Sequence, residues 1–202
     1  MKIVSKIPAT NSQRHDKLIG DGWTALKEPQ SLMTAMAASI PLAILNLVLT
    51  IGIFWLFQPF RMADFGFNPD GFSISISLPA IAGLLLLLIT HEMLHLVMVP
   101  DFLSSGSTYM GITYAGGFVY TEEEIPRLRY LLITILPFVI ISVLLPLVLG
   151  SADLLATMAM ALILLNSMAS SVDVLSFILV ATQAPVGSHM TSNGTKTYWK
   201  QK

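Results

Sequence analysis

The 202-residue chain has no cysteine, which excludes a disulfide framework and any thiolate metal site. A bound metal would have to be held by nitrogen and oxygen. Charge is scarce as well: 11% of residues are charged, against ~25% in a typical soluble domain. The net charge of −1 provides no basic surface and argues against a nucleic-acid partner. No apolar core occurs in the first thirty residues, so no cleavable signal peptide is expected, and the first spanning helix should act as its own insertion signal. Internal repeats and low-complexity tracts are not evident.

What the chain has in abundance is hydrocarbon. Hydrophobic residues make up 54% and mean hydropathy is +0.72, the composition of a polytopic membrane protein. Four apolar runs, at about 34–58, 76–99, 130–149 and 154–181, each approach or exceed the ~20 residues that cross ~30 Å of hydrocarbon. Pro100 is a natural stop for the second run, and Pro137 and Pro146 should kink the third. Arg61 to Asp70 reads as a loop. The stretch Tyr109–Tyr120 is rich in aromatic and β-branched residues and broken by glycines, which predicts a short hairpin. Thr121-Glu122-Glu123-Glu124 is expected to cap and open the third helix, and Asn193-Gly194 is a turn signal. The expected fold is an all-α membrane protein: a bundle of about four transmembrane helices with one hairpin-like segment between the second and third. Residues 1–30 and 183–202 are expected to be polar tails flanking a domain at 31–182.

Orientation follows from Lys and Arg. Lys2, Lys6, Arg14, Lys17 and Lys27 precede the first run, Arg127 and Arg129 lie between the second and third, and Lys196, Lys200 and Lys202 follow the fourth. Only Arg61 lies on the opposite side. Ten against one predicts a multi-pass cell-membrane protein with both termini in the cytoplasm.

Within the second run stands His91-Glu92-Met93-Leu94-His95, an H-E-x-x-H sequence. On a helix, positions i and i+4 share a face, so both imidazoles can reach one metal ion, and Glu92 lies beside that face. A structural role for such residues is hard to sustain in hydrocarbon, where unpaired polar side chains are costly.

A catalytic zinc site usually has three protein ligands. The only carboxylates deep in the apolar runs are Glu92 and Asp173. Asn166, Ser170 and Asp173 follow i, i+4, i+7 spacing and form one polar stripe on the fourth run. Both His91 and Asp173 lie eight residues before the inner ends of their runs, about 12 Å deep at ~1.5 Å per residue. Asp173 is therefore the favoured third ligand. Its competing role is helix packing through small polar neighbours. The rival ligand source is the Glu122–Glu124 cluster, which sits at the membrane surface.

With these residues in place, the chain resembles the site-2-type intramembrane zinc metalloproteases. It is closer still to a small bacterial family of membrane zincins described mainly as a domain of unknown function. The resemblance covers most of the chain. It departs from the site-2 pattern at the aspartate, which is followed by Val174 rather than Gly, and lacks that pattern's proline between Asn and Asp. The resemblance implies Zn²⁺ held by His91, His95 and Asp173, with Glu92 as the general base toward water. It also implies that Asn166 orients the substrate or stabilises the oxyanion.

The expected function is an intramembrane or juxtamembrane zinc metalloprotease acting on a membrane protein or peptide in contact with the lipid bilayer. The Tyr109–Tyr120 segment could add a strand to an unwound substrate. The alternative is a non-hydrolytic metal-binding membrane protein, a transporter or scaffold. Substrate identity and oligomeric state are not encoded in any motif.

Overall fold

The computed structural model describes residues 1–69, 71–73, 77–113 and 116–201. Its frame is four helices long and apolar enough to cross a membrane: Leu32–Trp55, Leu78–Leu96, Arg127–Ser151 and Thr157–Gln183. These match the four expected runs to within a few residues at each end. Residue 76, the expected start of the second run, lies outside the described residues.

In chain order, the N-terminal segment holds β1 (Lys2–Val4), α1 (Ser12–Gly20) and β2 (Thr24–Ala25). The first span is α2 (Leu32–Trp55), opened by a capping box in which the Ser31 hydroxyl accepts from the Thr34 N–H. Two short strands, β3 (Phe67–Asn68) and β4 (Gly71–Phe72), follow. The second span is α3 (Leu78–Leu96), capped by Ser77 with Pro79 in its first turn. A hairpin, β5 (Thr108–Thr113) and β6 (Gly116–Thr121), leads to the two-residue strand β7 (Ile125–Pro126). The third span is broken into α4 (Arg127–Pro137), a π-helical stretch (Phe138–Leu144) and α5 (Leu145–Ser151). The fourth is α6 (Thr157–Ala169) and α7 (Ser171–Gln183), interrupted at Ser170. The chain then closes with the hairpin β8 (Ser188–Asn193) and β9 (Lys196–Gln201).

The packing is inverted relative to a soluble protein. Ile40, Ile44, Val48, Leu84, Leu85, Leu86 and Ile89 are exposed, whereas Ser39, Asn46, Thr50, Asn166, Ser167 and Ser171 are buried. Ser39, Asn46 and Thr50 lie along one face of α2 and bond the fourth span. Ser39 meets the Ser171 hydroxyl at 3.1 Å, the Asn46 amide donates to the Ser167 carbonyl at 3.1 Å, and Thr50 meets the Ser167 hydroxyl at 3.0 Å. Apolar faces exposed in this way are consistent with a lipid setting, in which helices gain little from burying more apolar surface and polar contacts hold them together. Between α3 and α6, Gly83 makes room for the Leu162 side chain: a Cβ at Gly83 would lie 2.9 Å from a Leu162 methyl.

The all-α expectation is corrected by two sheets at one end of the bundle. One has the order β1-β5-β6, with β1 parallel to β5. The other has the order β2-β9-β8-β7. The segments read as polar tails thus supply strands, and two of their pairings join residues more than a hundred positions apart (Lys2 opposite Tyr109, Thr24 opposite Trp199). Two turn expectations hold. Asn193-Gly194 joins β8 to β9 with Gly194 at φ 62, and the Tyr109–Tyr120 stretch is an antiparallel hairpin. Tyr114 and Ala115 lie outside the described residues, as does Asp70. One expectation fails: Glu122–Glu124 do not open the third helix. Ile125–Pro126 pairs with β8, and the helix starts only after Pro126.

Candidate metal centre

His91 and His95 project from one face of α3, one turn apart, with their Nε2 atoms 3.3 Å from each other. Asp173, in the first turn of α7, brings its carboxylate against both. Oδ2 is 3.3 Å from His91 Nε2, and Oδ1 is 3.5 Å from His95 Nε2. The three residues are the group among the described residues whose donor atoms could hold a metal ion, all lying within 4.8 Å of one another. Zinc with ligands at about 2.0–2.2 Å in a tetrahedron places neighbouring donors roughly 3.3–3.5 Å apart. The two Nε2 atoms stand at the spacing of a tetrahedral edge, each meets a different oxygen of the Asp173 carboxylate, and the donor set fits zinc in ligand type.

Both rings are held from behind. His91 Nδ1 lies 2.9 Å from Asn166 Oδ1, and His95 Nδ1 lies 2.7 Å from the Ile133 carbonyl. Each partner is an acceptor, so each Nδ1 carries a proton, and each Nε2 is left on the side of Asp173, where a metal ion could take it as a ligand. Such outer contacts fix tautomer and orientation in metal-binding histidines. The amide orientation of Asn166 is itself determined by its surroundings. Its Nδ2 donates to the Pro137 carbonyl at 3.2 Å, the Ser142 hydroxyl at 2.9 Å and the Ser170 hydroxyl at 3.4 Å. Asn166 is 1% exposed.

Glu92 is buried, and its Oε2 finds no hydrogen-bond partner. A buried carboxylate oxygen without a protein partner is expensive, and this one lies one residue from His91 on the same helix. The other side of Glu92 is covered by β6. A Cβ on Gly117 would lie 2.5 Å from Glu92 Cγ and Oε1, so only glycine lets the strand cross the carboxylate here. A cavity of about 700 Å³ passes His91, Glu92, Asp173 and Gly117 and reaches Glu28 and Thr197 at the sheet end. This gives water a route to residues that lie within the bundle.

The rival ligand cluster is engaged elsewhere. Glu122 pairs with Arg14 at 3.2 Å and accepts from the Tyr120 hydroxyl, while Glu123 accepts from Ser105. Glu124 is not in the metal-capable group. Sequence reasoning missed Gly117, Ser142 and the Ile133 carbonyl. Gly117 was visible only as part of a glycine-broken strand, and Pro137 only as a kink.

Residues 84–188, just over half of the chain, match a family described as "Putative zincin peptidase". The chain belongs to this family. No curated protein matches it, and no solved structure does. Zincin peptidases are zinc enzymes, and the zincin match spans every residue of the centre: His91, Glu92, His95, Gly117, Ile133, Asn166 and Asp173. Zn²⁺ is therefore the metal this family member implies, and His91, His95 and Asp173 lie close enough to form its site.

Proposed function

We propose that this protein is a membrane-embedded zinc metallopeptidase that hydrolyses peptide bonds of a membrane protein or peptide at or within the bilayer. One observation carries the reading: three N/O donors within 4.8 Å of one another stand beside a buried glutamate whose Oε2 has no partner.

His91, His95 and Asp173 would hold the metal. Bound there, Zn²⁺ supplies a Lewis acid that polarises the scissile carbonyl and brings the pKa of a water toward 7. Glu92 Oε2 accepts the proton of the attacking water and returns it to the leaving amine. Burial and the cover of β6 keep this carboxylate from drifting into solvent. Asn166 is assigned a positioning role through His91, the interhelical hydrogen-bonding alternative to holding the substrate: it is buried, and its two amide N–H groups are shared among the Pro137 carbonyl and the Ser142 and Ser170 hydroxyls.

The free edge of β6 supports a binding mode. In the sheet order β1-β5-β6, β6 is an outer strand, and it runs beside Glu92. An extended substrate paired along that edge would present a peptide bond, which a helix hides. The lysine and arginine distribution supports a cell-membrane location, with both sheets and both termini on the cytoplasmic side.

Metal content by elemental analysis of the detergent-purified protein tests the site. Wild type should carry about one zinc, Asp173→Ala should lose it, and a triple Glu122/Glu123/Glu124→Ala variant should keep it. Glu92→Gln should keep the zinc yet lose cleavage of a quenched-fluorescence library of unstructured peptides by ~100- to 10,000-fold. Zinc loss in the triple variant instead, or full cleavage by Glu92→Gln, would refute the mechanism. Bound zinc in wild type with no cleavage of any peptide would favour a non-hydrolytic metal-binding role.

A further inference from the structure

We propose that Pro137 is a positioning residue for the metal centre: because it has no N–H, it leaves the Ile133 carbonyl free to hold His95 with Nε2 facing Asp173. The proposal rests on reading His91, His95 and Asp173 as a metal site.

Within an α-helix, each carbonyl accepts from the N–H four residues on. For Ile133 that residue is Pro137, the last residue of α4, which has no N–H to give. An unpaired carbonyl inside a membrane bundle is costly. This one is met by His95 Nδ1 at 2.7 Å. The proline thus creates the acceptor that sets the tautomer of a ligand histidine on a neighbouring helix.

The same residue reaches the other histidine. The Pro137 carbonyl accepts from Asn166 Nδ2 at 3.2 Å, and Asn166 Oδ1 in turn holds His91 Nδ1 at 2.9 Å. The π-helical stretch that starts directly after Pro137 carries Ser142, whose hydroxyl bonds the same amide at 2.9 Å. Pro137 therefore anchors both imidazoles, one through its missing donor and one through its carbonyl. The third span repeats the device. Pro146 deprives the Ser142 carbonyl of its usual donor, and that carbonyl lies 3.4 Å from the Thr50 hydroxyl on α2. Only the Pro137 instance faces a histidine.

In Pro137→Ala the new N–H would donate to the Ile133 carbonyl and compete with His95. The helix would become more regular while the ring lost its support. Loss of such an outer contact typically weakens metal binding by about 10- to 100-fold. A proline with a merely structural role would lower stability and zinc affinity together. A positioning proline separates them.

The test is a zinc competition titration against a fluorescent chelator, on full-length protein in detergent, for wild type, Pro137→Ala and Pro41→Ala. Pro41 lies inside α2, away from the histidines, and serves as the control. Pro137→Ala should bind zinc at least ~10-fold more weakly, with its metal-free unfolding temperature equal to or above that of wild type, while Pro41→Ala keeps wild-type affinity. Wild-type affinity in Pro137→Ala would overturn the proposal and leave the metal site standing. Wild type that takes up no zinc would sink the metal-site reading and this proposal with it. A second measurement does not depend on how the variant folds. In ¹⁵N-histidine spectra of the zinc-loaded wild type, with His95 assigned by its loss in His95→Gln, His95 should carry its proton on Nδ1 and bind through Nε2. Zinc bound through His95 Nδ1 would overturn the proposal.

Discussion

Glu28 shows how a single residue outside the spans couples the sheets to the bundle. It precedes α2, lines the far end of the cavity that reaches the histidines, and accepts a hydrogen bond from the Thr197 N–H on β9. Burial pushes its carboxyl up to about 7, outweighing the Thr197 hydrogen bond and the nearby Lys196 charge. An acid whose pKa is raised on folding binds its proton more tightly in the folded state. Its contribution to stability is then fully present below its ordinary value near 4.5 and is lost as pH rises through 7. The unfolding temperature of wild type should therefore fall between pH 5 and pH 8 by more than that of Glu28→Gln, in the same detergent. Equal falls would show that Glu28 keeps its ordinary acidity. At this scale the sequence was informative where chemistry is local. His91, Glu92 and His95 declare themselves by spacing. Glu28 does not, because its burial depends on a strand that arrives from the other end of the chain.

At the scale of elements, the hairpin β5–β6 is placed by its glycines. Gly111 has Val4 of β1 on one side, and a Cβ there would collide with the Val4 carbonyl; it also faces the Phe118 ring across the hairpin. Gly117 lies against Glu92 in the same way. Gly117→Ala should displace the glutamate or lift the strand, lowering peptidase activity by about tenfold or more with zinc content unchanged, since a misplacement near 1 Å can cost ~100-fold. Equal activity in that variant would remove β6 from the reaction centre. Alternation and glycine punctuation made the hairpin legible from sequence. Its third strand was not, because β1 carries no pattern that names a partner beyond residue 100. The third span teaches the same lesson. Two prolines announce irregularity, but where the freed carbonyls point is decided by which helix packs alongside.

For the whole molecule, polar residues face inward, apolar residues face outward, and three chain segments meet at one end in two sheets. The absence of cysteine makes the topology directly testable. Leu103 and Val186 are exposed at the sheet end, and Met62 and Leu154 are exposed in the opposite loops. In intact cells, a membrane-impermeant maleimide should label single-cysteine variants at Met62 and Leu154, and should label those at Leu103 and Val186 only after lysis. The reverse pattern would invert the proposed orientation, and mixed labelling would contradict the four-span frame.

The sequence alone determined what depends on neighbours along the chain. Span length follows from runs of apolar residues, the histidine pair from a spacing of four on one helix face, and the turns from Asn-Gly and the glycine-broken strand. Asp173 was reachable too, because helix rise turns residue counting into depth. Only the tertiary structure decided what depends on convergence: the carboxylate meeting both imidazoles, the Asn166 and Ile133 acceptors behind them, Gly117 across Glu92, and sheets built from distant segments. Those contacts form between residues tens to more than a hundred positions apart, and their geometry is set by helix packing and strand pairing, which no local pattern records.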